Sequence, residues 1–168
     1  ISDLGFEAPS EVQEKTIPLL LEKETDLVSL AQTGTGKTAA FGFPMLQKIQ
    51  AESRTTQGLI LSPTRELCLQ ITNELKAYGK YVDGLNIVAI YGGASITDQA
   101  KKIKKGAQII VATPGRMKDM IGRRMIDISK IEYCVLDEAD EMLNMGFYED
   151  ITEILSHSPE DKSTWLFS

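Results

Sequence analysis

The sequence holds little from which a metal cluster, a disulfide framework or a membrane anchor could be built. Of its 168 residues one is histidine and two are cysteine. A lone His157 excludes a histidine-based metal cluster, and the residue reads as capping or following a helix end. Cys68 lies in a helix-like apolar stretch and Cys134 in a strand-like one. Both are expected to be buried, reduced thiols rather than a bridge or a metal site. No apolar run is long enough to span a bilayer, and the N-terminus lacks the charged-then-apolar pattern of an export signal. A cytoplasmic protein with no membrane partner is therefore expected. Positive charge is also scarce: 18 Lys and Arg stand against 24 Asp and Glu, a net charge of −6. That argues against a surface coated in positive charge, although not against a local basic groove. Internal repeats, low-complexity tracts and linkers are absent as well.

The remaining composition is that of an ordinary globular domain, 42% hydrophobic and 25% charged. The length suits one domain with a sizeable core. The chain begins at Ile1 without an initiator methionine and stops as a strand ends at Trp165-Leu166-Phe167-Ser168, so residues 1–168 read as a single domain cut from a longer protein.

Short apolar or β-branched runs alternate with helical stretches. The expected strands are Leu27–Leu30, Gly58–Ser62, Asn86–Tyr91, Gln108–Ala112, Tyr133–Leu136 and Thr164–Phe167. The expected helices are Ser10–Leu21, Lys37–Gln50, Arg65–Tyr78, Thr97–Lys104, Pro114–Gly122 and Tyr148–Leu155. Leu67, Ile71, Leu75 and Tyr78 recur at helical spacing and should face a sheet. This alternation predicts an α/β fold with a mostly parallel sheet and helices on both faces. Ligands in such sheets sit at the carboxyl ends of the strands.

Two motifs fall at such ends. Ala31-Gln32-Thr33-Gly34-Thr35-Gly36-Lys37-Thr38 follows the first strand and opens a helix. It reads as a phosphate-binding loop, with Ala31 in place of the usual first glycine. Gly34 and Gly36 let the backbone wrap closely around phosphate, and the helix N-terminus adds N–H groups and a favourable dipole. Lys37 would reach the β- and γ-phosphates, and the Thr38 hydroxyl would ligate magnesium. Asp137-Glu138-Ala139-Asp140 follows the fifth strand. Asp137 can hold magnesium directly or through water, and Glu138 is placed to orient and deprotonate an attacking water. Each motif alone has a bland reading, a glycine turn or an acidic helix start. Together they imply ATP and magnesium.

The two motifs, in this order, resemble the DEAD-box family of ATP-dependent RNA helicases, and the resemblance extends along essentially the whole chain. Gly5-Phe6, Pro9 and Gln13 are similar to the Q motif. Ala31 to Thr38 are similar to motif I, which in the family often starts with alanine. Pro63-Thr64-Arg65-Glu66-Leu67 resemble motif Ia, Gly92-Gly93 the GG element, and Thr113-Pro114-Gly115-Arg116 motif Ib. Ser168 stands where motif III would begin, and the flavour is closest to bacterial cold-shock-type members. The resemblance implies a RecA-like P-loop fold and the first of two lobes. A second RecA-like lobe would supply arginine fingers, so the chain alone is expected to hydrolyse ATP very slowly.

The resemblance also assigns roles. Gln13, Gln32, Thr33, Gly34, Thr35, Gly36, Lys37 and Thr38 would bind ATP. Pro63, Thr64, Arg65, Gly93, Thr113, Pro114, Gly115 and Arg116 would bind the RNA backbone without reading its sequence. Asp140 would couple the nucleotide site to Ser168. Spacing alone leaves Gln13 open, because Ser10-Glu11-Val12-Gln13 also fits a capping box. The resemblance favours adenine contact. Thr64 and Thr113-Pro114 likewise fit ordinary helix starts. Lys101-Lys102 and Lys104-Lys105 read as a solvated face and are left out of the site. Two other readings stay open: a non-catalytic nucleotide-binding interaction module, and a DNA-directed P-loop ATPase that would not need Gln13.

Overall fold

The computed structural model describes residues 8–22, 24–30 and 36–168. Ala31, Gln32, Thr33, Gly34 and Thr35 of the phosphate loop lie outside the described residues, as do Gly5 and Phe6. The elements run α1 (Glu11–Glu22), β1 (Leu27–Ser29), α2 (Lys37–Lys48), β2 (Gly58–Leu61), α3 (Arg65–Tyr78), β3 (Ile87–Ile90), α4 (Ile96–Lys104) and β4 (Ile109–Ala112). They continue with α5 (Pro114–Gly122), β5 (Tyr133–Asp137), α6 (Ala139–Asn144), α7 (Tyr148–Leu155) and β6 (Ser163–Phe167). The expected strands and helices are all present. The addition is α6, six residues with acidic side chains in the first turn, too short for a periodic signal.

The strands form one six-stranded sheet in the order β1-β6-β5-β2-β4-β3. Every pairing is parallel, where a mostly parallel sheet was expected. Side chains alternate between its faces, and each face has its own core. Leu59 and Leu61 of β2 point to one side, with Met117 and Met120 of α5, Met142 of α6, and Ile151 and Ile154 of α7. Ile60 points to the other, with Leu20 of α1, Phe41 and Met45 of α2, and Ile71 and Leu75 of α3. Burial on both faces explains why β2, β4 and β5 read as continuous apolar runs rather than alternating ones. Cys68 and Cys134 are both free and buried, as expected, and burial pushes each thiol up to about 12. His157 follows the end of α7, its N–H donating to the Ile154 carbonyl. No helix among the described residues is long and apolar enough to cross a membrane.

Because all six strands run the same way, their carboxyl ends share one edge of the sheet. Strands β1, β6 and β5 are neighbours and form one half of that edge. Strands β2, β4 and β3 form the other. The phosphate loop and the acidic pair leave the first half. Pro63–Arg65, Thr113–Arg116 and Gly92–Gly93 leave the second.

Candidate functional site

Lys37 opens α2, and its side chain runs to the end of β5. Its Nζ lies 3.6 Å from Asp137 Oδ1 and hydrogen-bonds Glu138 Oε1. Lys37 and Asp137 are 7% and 2% exposed and the Glu138 side chain 24%, so a buried cation–carboxylate pair opens to solvent at the second carboxylate. Asp137 bears the consequence. Burial, opposed by Lys37 and assisted by Glu138, raises its carboxyl from the ordinary aspartate range to about 6. No hydrogen bond from a described residue reaches Asp137 Oδ1.

That arrangement fits a magnesium ion. A hard divalent cation wants oxygen ligands, tolerates few protein ligands and keeps most of its waters. An orphaned carboxylate oxygen inside a site with one surplus negative charge supplies what such an ion needs. Among the described residues no cluster of three or more His, Cys, Asp or Glu could hold a metal by protein atoms alone. Thr38 follows Lys37 in the first turn of α2 and is half-buried.

Glu138 has φ 53° and ψ 49°, the left-handed region, at the N-cap of α6. A non-glycine residue there is strained by about 1–3 kcal/mol and is held by its surroundings. The turn keeps Asp137 in the strand, points Glu138 at Lys37, and starts α6 immediately.

The capping reading of Gln13 is realised. Ser10 N–H donates to Gln13 Oε1 at 3.0 Å, and Gln13 N–H donates to Ser10 Oγ at 3.4 Å. Gln13 does more than cap, because its Nε2 donates to the Gly36 carbonyl at 3.2 Å. The side chain thus ties α1 to the end of the phosphate loop. Gly36 has φ +81°, and a Cβ there would lie 2.3 Å from Gln13 Nε2. Each end of the Gln13 amide retains one hydrogen-bonding position, which is what a bidentate adenine contact requires.

On the other half of the edge, Thr64 caps α3 by accepting from Leu67 N–H at 3.2 Å. Arg65 is exposed and stacks over the Tyr91 ring at 4.8 Å. Its Nη1 stands 3.8 Å from where a Gly93 Cβ would be, and Gly93 has φ +83°. Pro114 occupies the first turn of α5 as expected, but Thr113 makes no side-chain cap bond. Proline fixes that helix start without help, which leaves the Thr113 hydroxyl uncommitted to capping. Arg116 is turned inward. Both its Nη atoms donate to the Ala94 carbonyl at 3.1 Å, and Nη1 also donates to Gln99 Oε1 at 3.0 Å. Gln99 was missed from the sequence. Its signal was there: a glutamine on the apolar face of Ile96, Ala100 and Ile103 must be buried and needs partners. Asp140 meets Ser168 through its backbone, its N–H donating to Ser168 Oγ at 3.4 Å. Lys101, Lys102, Lys104 and Lys105 are all exposed.

A family model described as DEAD/DEAH box helicase matches residues 10–168. The chain belongs to the DEAD/DEAH box helicase family. Over its whole length it is 51% identical to the ATP-dependent RNA helicase DeaD of Mycobacterium tuberculosis, of which it covers 30%. It is 52% identical to the DEAD-box ATP-dependent RNA helicase CshA of Streptococcus pneumoniae, of which it covers 32%. The crystal structure of a DEAD box protein from the hyperthermophile Methanococcus jannaschii superposes on all of it with a TM-score of 0.95 at 43% identity. This chain covers 46% of that one. The chain therefore spans about a third of the length of its curated relatives, and the expected RecA-like architecture of the family is the one it adopts.

Proposed function

We propose that the chain is the ATP-binding lobe of an ATP-dependent RNA helicase and that it also carries part of the RNA path. The observation that supports this most directly is the cluster of buried Lys37 and Asp137 with half-buried Glu138, where a family phosphate loop meets a family acidic pair. Lys37 exchanges its carboxylate partners for the β- and γ-phosphates of ATP. Glu138 is thereby released to accept a proton from the attacking water. Gln13 reads adenine with its remaining donor and acceptor while its other bonds hold Gly36. Gln32, Thr33, Gly34, Thr35 and Gly36 supply backbone to the phosphates.

Asp137 and Thr38 would hold magnesium, Asp137 directly or through water. The ion supplies positive charge to the phosphate oxygens. RNA lies across the ends of β2, β4 and β3 along Pro63, Thr64, Arg65, Gly93 and the Thr113–Arg116 segment. These groups offer backbone N–H, hydroxyl and guanidinium to phosphate, so binding ignores base sequence. The 2′-hydroxyl is the basis for preferring RNA over DNA. A second RecA-like lobe of the same protein closes over both sites in the cytoplasm. The chain alone lacks the arginine fingers that such a lobe supplies, so its own hydrolysis is very slow.

The test is phosphate release by the full-length protein with ATP and single-stranded RNA or DNA of the same sequence. Stimulation by RNA and not by DNA is expected. Equal stimulation by DNA would transfer the chain to the DNA-directed readings. No stimulation by either would leave a nucleotide-binding module.

A further inference from the structure

The loop between β3 and α4 carries Gly92 and Gly93, and it is anchored on both sides. Gln99 Nε2 donates to the Tyr91 carbonyl at 3.0 Å, just before the glycines. Arg116 grips the Ala94 carbonyl just after them with both Nη atoms. The two anchors are joined, because Arg116 Nη1 also donates to Gln99 Oε1. Three of the five N–H groups of Arg116 are therefore committed inside the protein. Gln99 is 5% exposed and cannot touch a bound strand. Tyr91 also carries Arg65 over its ring, so the same anchored segment sets where that exposed guanidinium stands relative to Gly93.

We propose that Gln99 and Arg116 are positioning residues for RNA binding. They hold the Gly92–Gly93 backbone and Tyr91 so that the loop and Arg65 face one phosphate path, and Arg116 acts through the loop rather than as a phosphate ligand. This rests on the proposed RNA function and revises one assignment within it. Gly92 and Gly93 have the backbone freedom that close approach requires, and for the same reason they cannot hold their own conformation. A buried amide and a forked guanidinium on two neighbouring helices supply the missing order. Lysine could not replace the fork, since one ammonium on a flexible stem does not span Ala94 and Gln99 in a fixed plane.

The experiment uses the full-length protein and a single-stranded RNA oligonucleotide, with affinity measured over a range of salt concentrations. Gln99→Met, Arg116→Met, Arg116→Lys and the Gln99→Met/Arg116→Met double variant are compared with wild type and Arg65→Ala. A lost buried bond should weaken RNA binding by about tenfold in each of the Gln99 and Arg116 variants, with the double no worse than either single. The salt slope should stay at the wild-type value, because no protein cation leaves the phosphates. A direct phosphate contact by Arg116 would instead lower the slope by about 0.7 on its removal and be largely rescued by lysine. That pattern, or a Gln99→Met protein that melts as wild type and binds RNA as wild type, would overturn the proposal. Arg116→Lys keeps the charge and near-native bulk, and so decides the matter if Gln99→Met does not fold. Wild type that fails to bind RNA, or Arg65→Ala that binds like wild type, would instead count against the RNA reading itself.

Discussion

Replacing Asp137 by asparagine should stabilise the nucleotide-free chain, and the gain should depend on pH in a defined way. The Asp137 carboxyl titrates at about 6 in the folded chain, against an ordinary value of 3.8. The folded state therefore binds the proton more tightly than the unfolded state. A group with a raised folded pKa contributes stability that is complete below the unfolded value and is lost as pH rises through the folded value. Above about pH 7 the protein carries the buried charge with no such contribution. The difference of about two pKa units corresponds to ~3 kcal/mol. This already includes the attraction of Lys37, which opposes the burial effect. Asparagine keeps the shape and an acceptor without the charge, but adds a buried amide donor. Together these give an expected gain of about 1–3 kcal/mol at pH 8. For a domain of this size that is a melting temperature higher by about 3–9 °C.

Thermal melts by circular dichroism, in chelator and without nucleotide, from pH 4 to pH 8, are the assay. The gain should be close to zero at pH 4 and grow through pH 6. With magnesium and ADP the order should reverse, because the variant has lost the ligand the ion needs. A variant that melts at or below wild type at pH 8, or one whose gain is the same at every pH, would refute the account of Asp137 as a buried, under-satisfied carboxylate.

The other expectations concern single contacts. Gln13→Ala removes the side-chain half of the capping box and the Gly36 bond, and keeps the backbone bond to Ser10 Oγ. It should reduce stability by about 1–2 kcal/mol in denaturant titration and abolish preference for ADP over GDP. Gly36→Ala places a Cβ on Gln13 Nε2 at a positive φ, so isothermal titration should find little or no nucleotide binding. Glu138→Gln keeps the αL turn and a hydrogen bond to Lys37, so nucleotide affinity should persist. RNA-stimulated hydrolysis by the full-length protein should fall by about 10²–10⁴. Thr64→Ala loses the α3 cap and should lower stability by about 1 kcal/mol in the same denaturant assay.

The sequence carried the parallel architecture well because its signals are local. Strands buried on both faces give short continuous apolar runs, and helices between them give period 3.6. The elements that escaped were those whose cause is not local. Asp137 was placed just beyond its strand, but the pairing of β5 with β6 extends to Asp137↔Phe167 and draws it into the sheet. Lys37 and Glu138 are 101 residues apart; their motifs were expected at the strand ends together, but the direct ion pair between the two side chains was not. Arg116 was assigned to the RNA backbone by the family resemblance, and its bonds to Ala94 and Gln99 had no signal in the sequence. Its inward turn depends on the Ala94 carbonyl, which lies in a loop, and on the Gln99 amide on another helix. Gln13 carried two readings because both rest on the same amide, whose bonds to Ser10 and Gly36 leave it one donor and one acceptor position.

The placement of the two half-sites limits how they can influence one another. The β5 and β2 strands are direct neighbours in register, with Leu136 opposite Leu61. Asp137 and the Pro63–Arg65 segment thus leave adjacent, fully buried strands. A close-packed parallel sheet of this kind does not bend between neighbouring strands, so the two sites move as one body within the lobe. Any coupling between nucleotide and nucleic acid must then arise in what can change without bending the sheet. The Lys37 ion pair is one such element, since on the proposed reading phosphates and Glu138 would compete for the same ammonium. The Asp140–Ser168 contact beyond the end of β6 is another. On the proposed reading, in which nucleotide takes one half of this rigid edge and RNA the other, the motion that links the two would have to come from side chains at that edge and from the proposed second lobe.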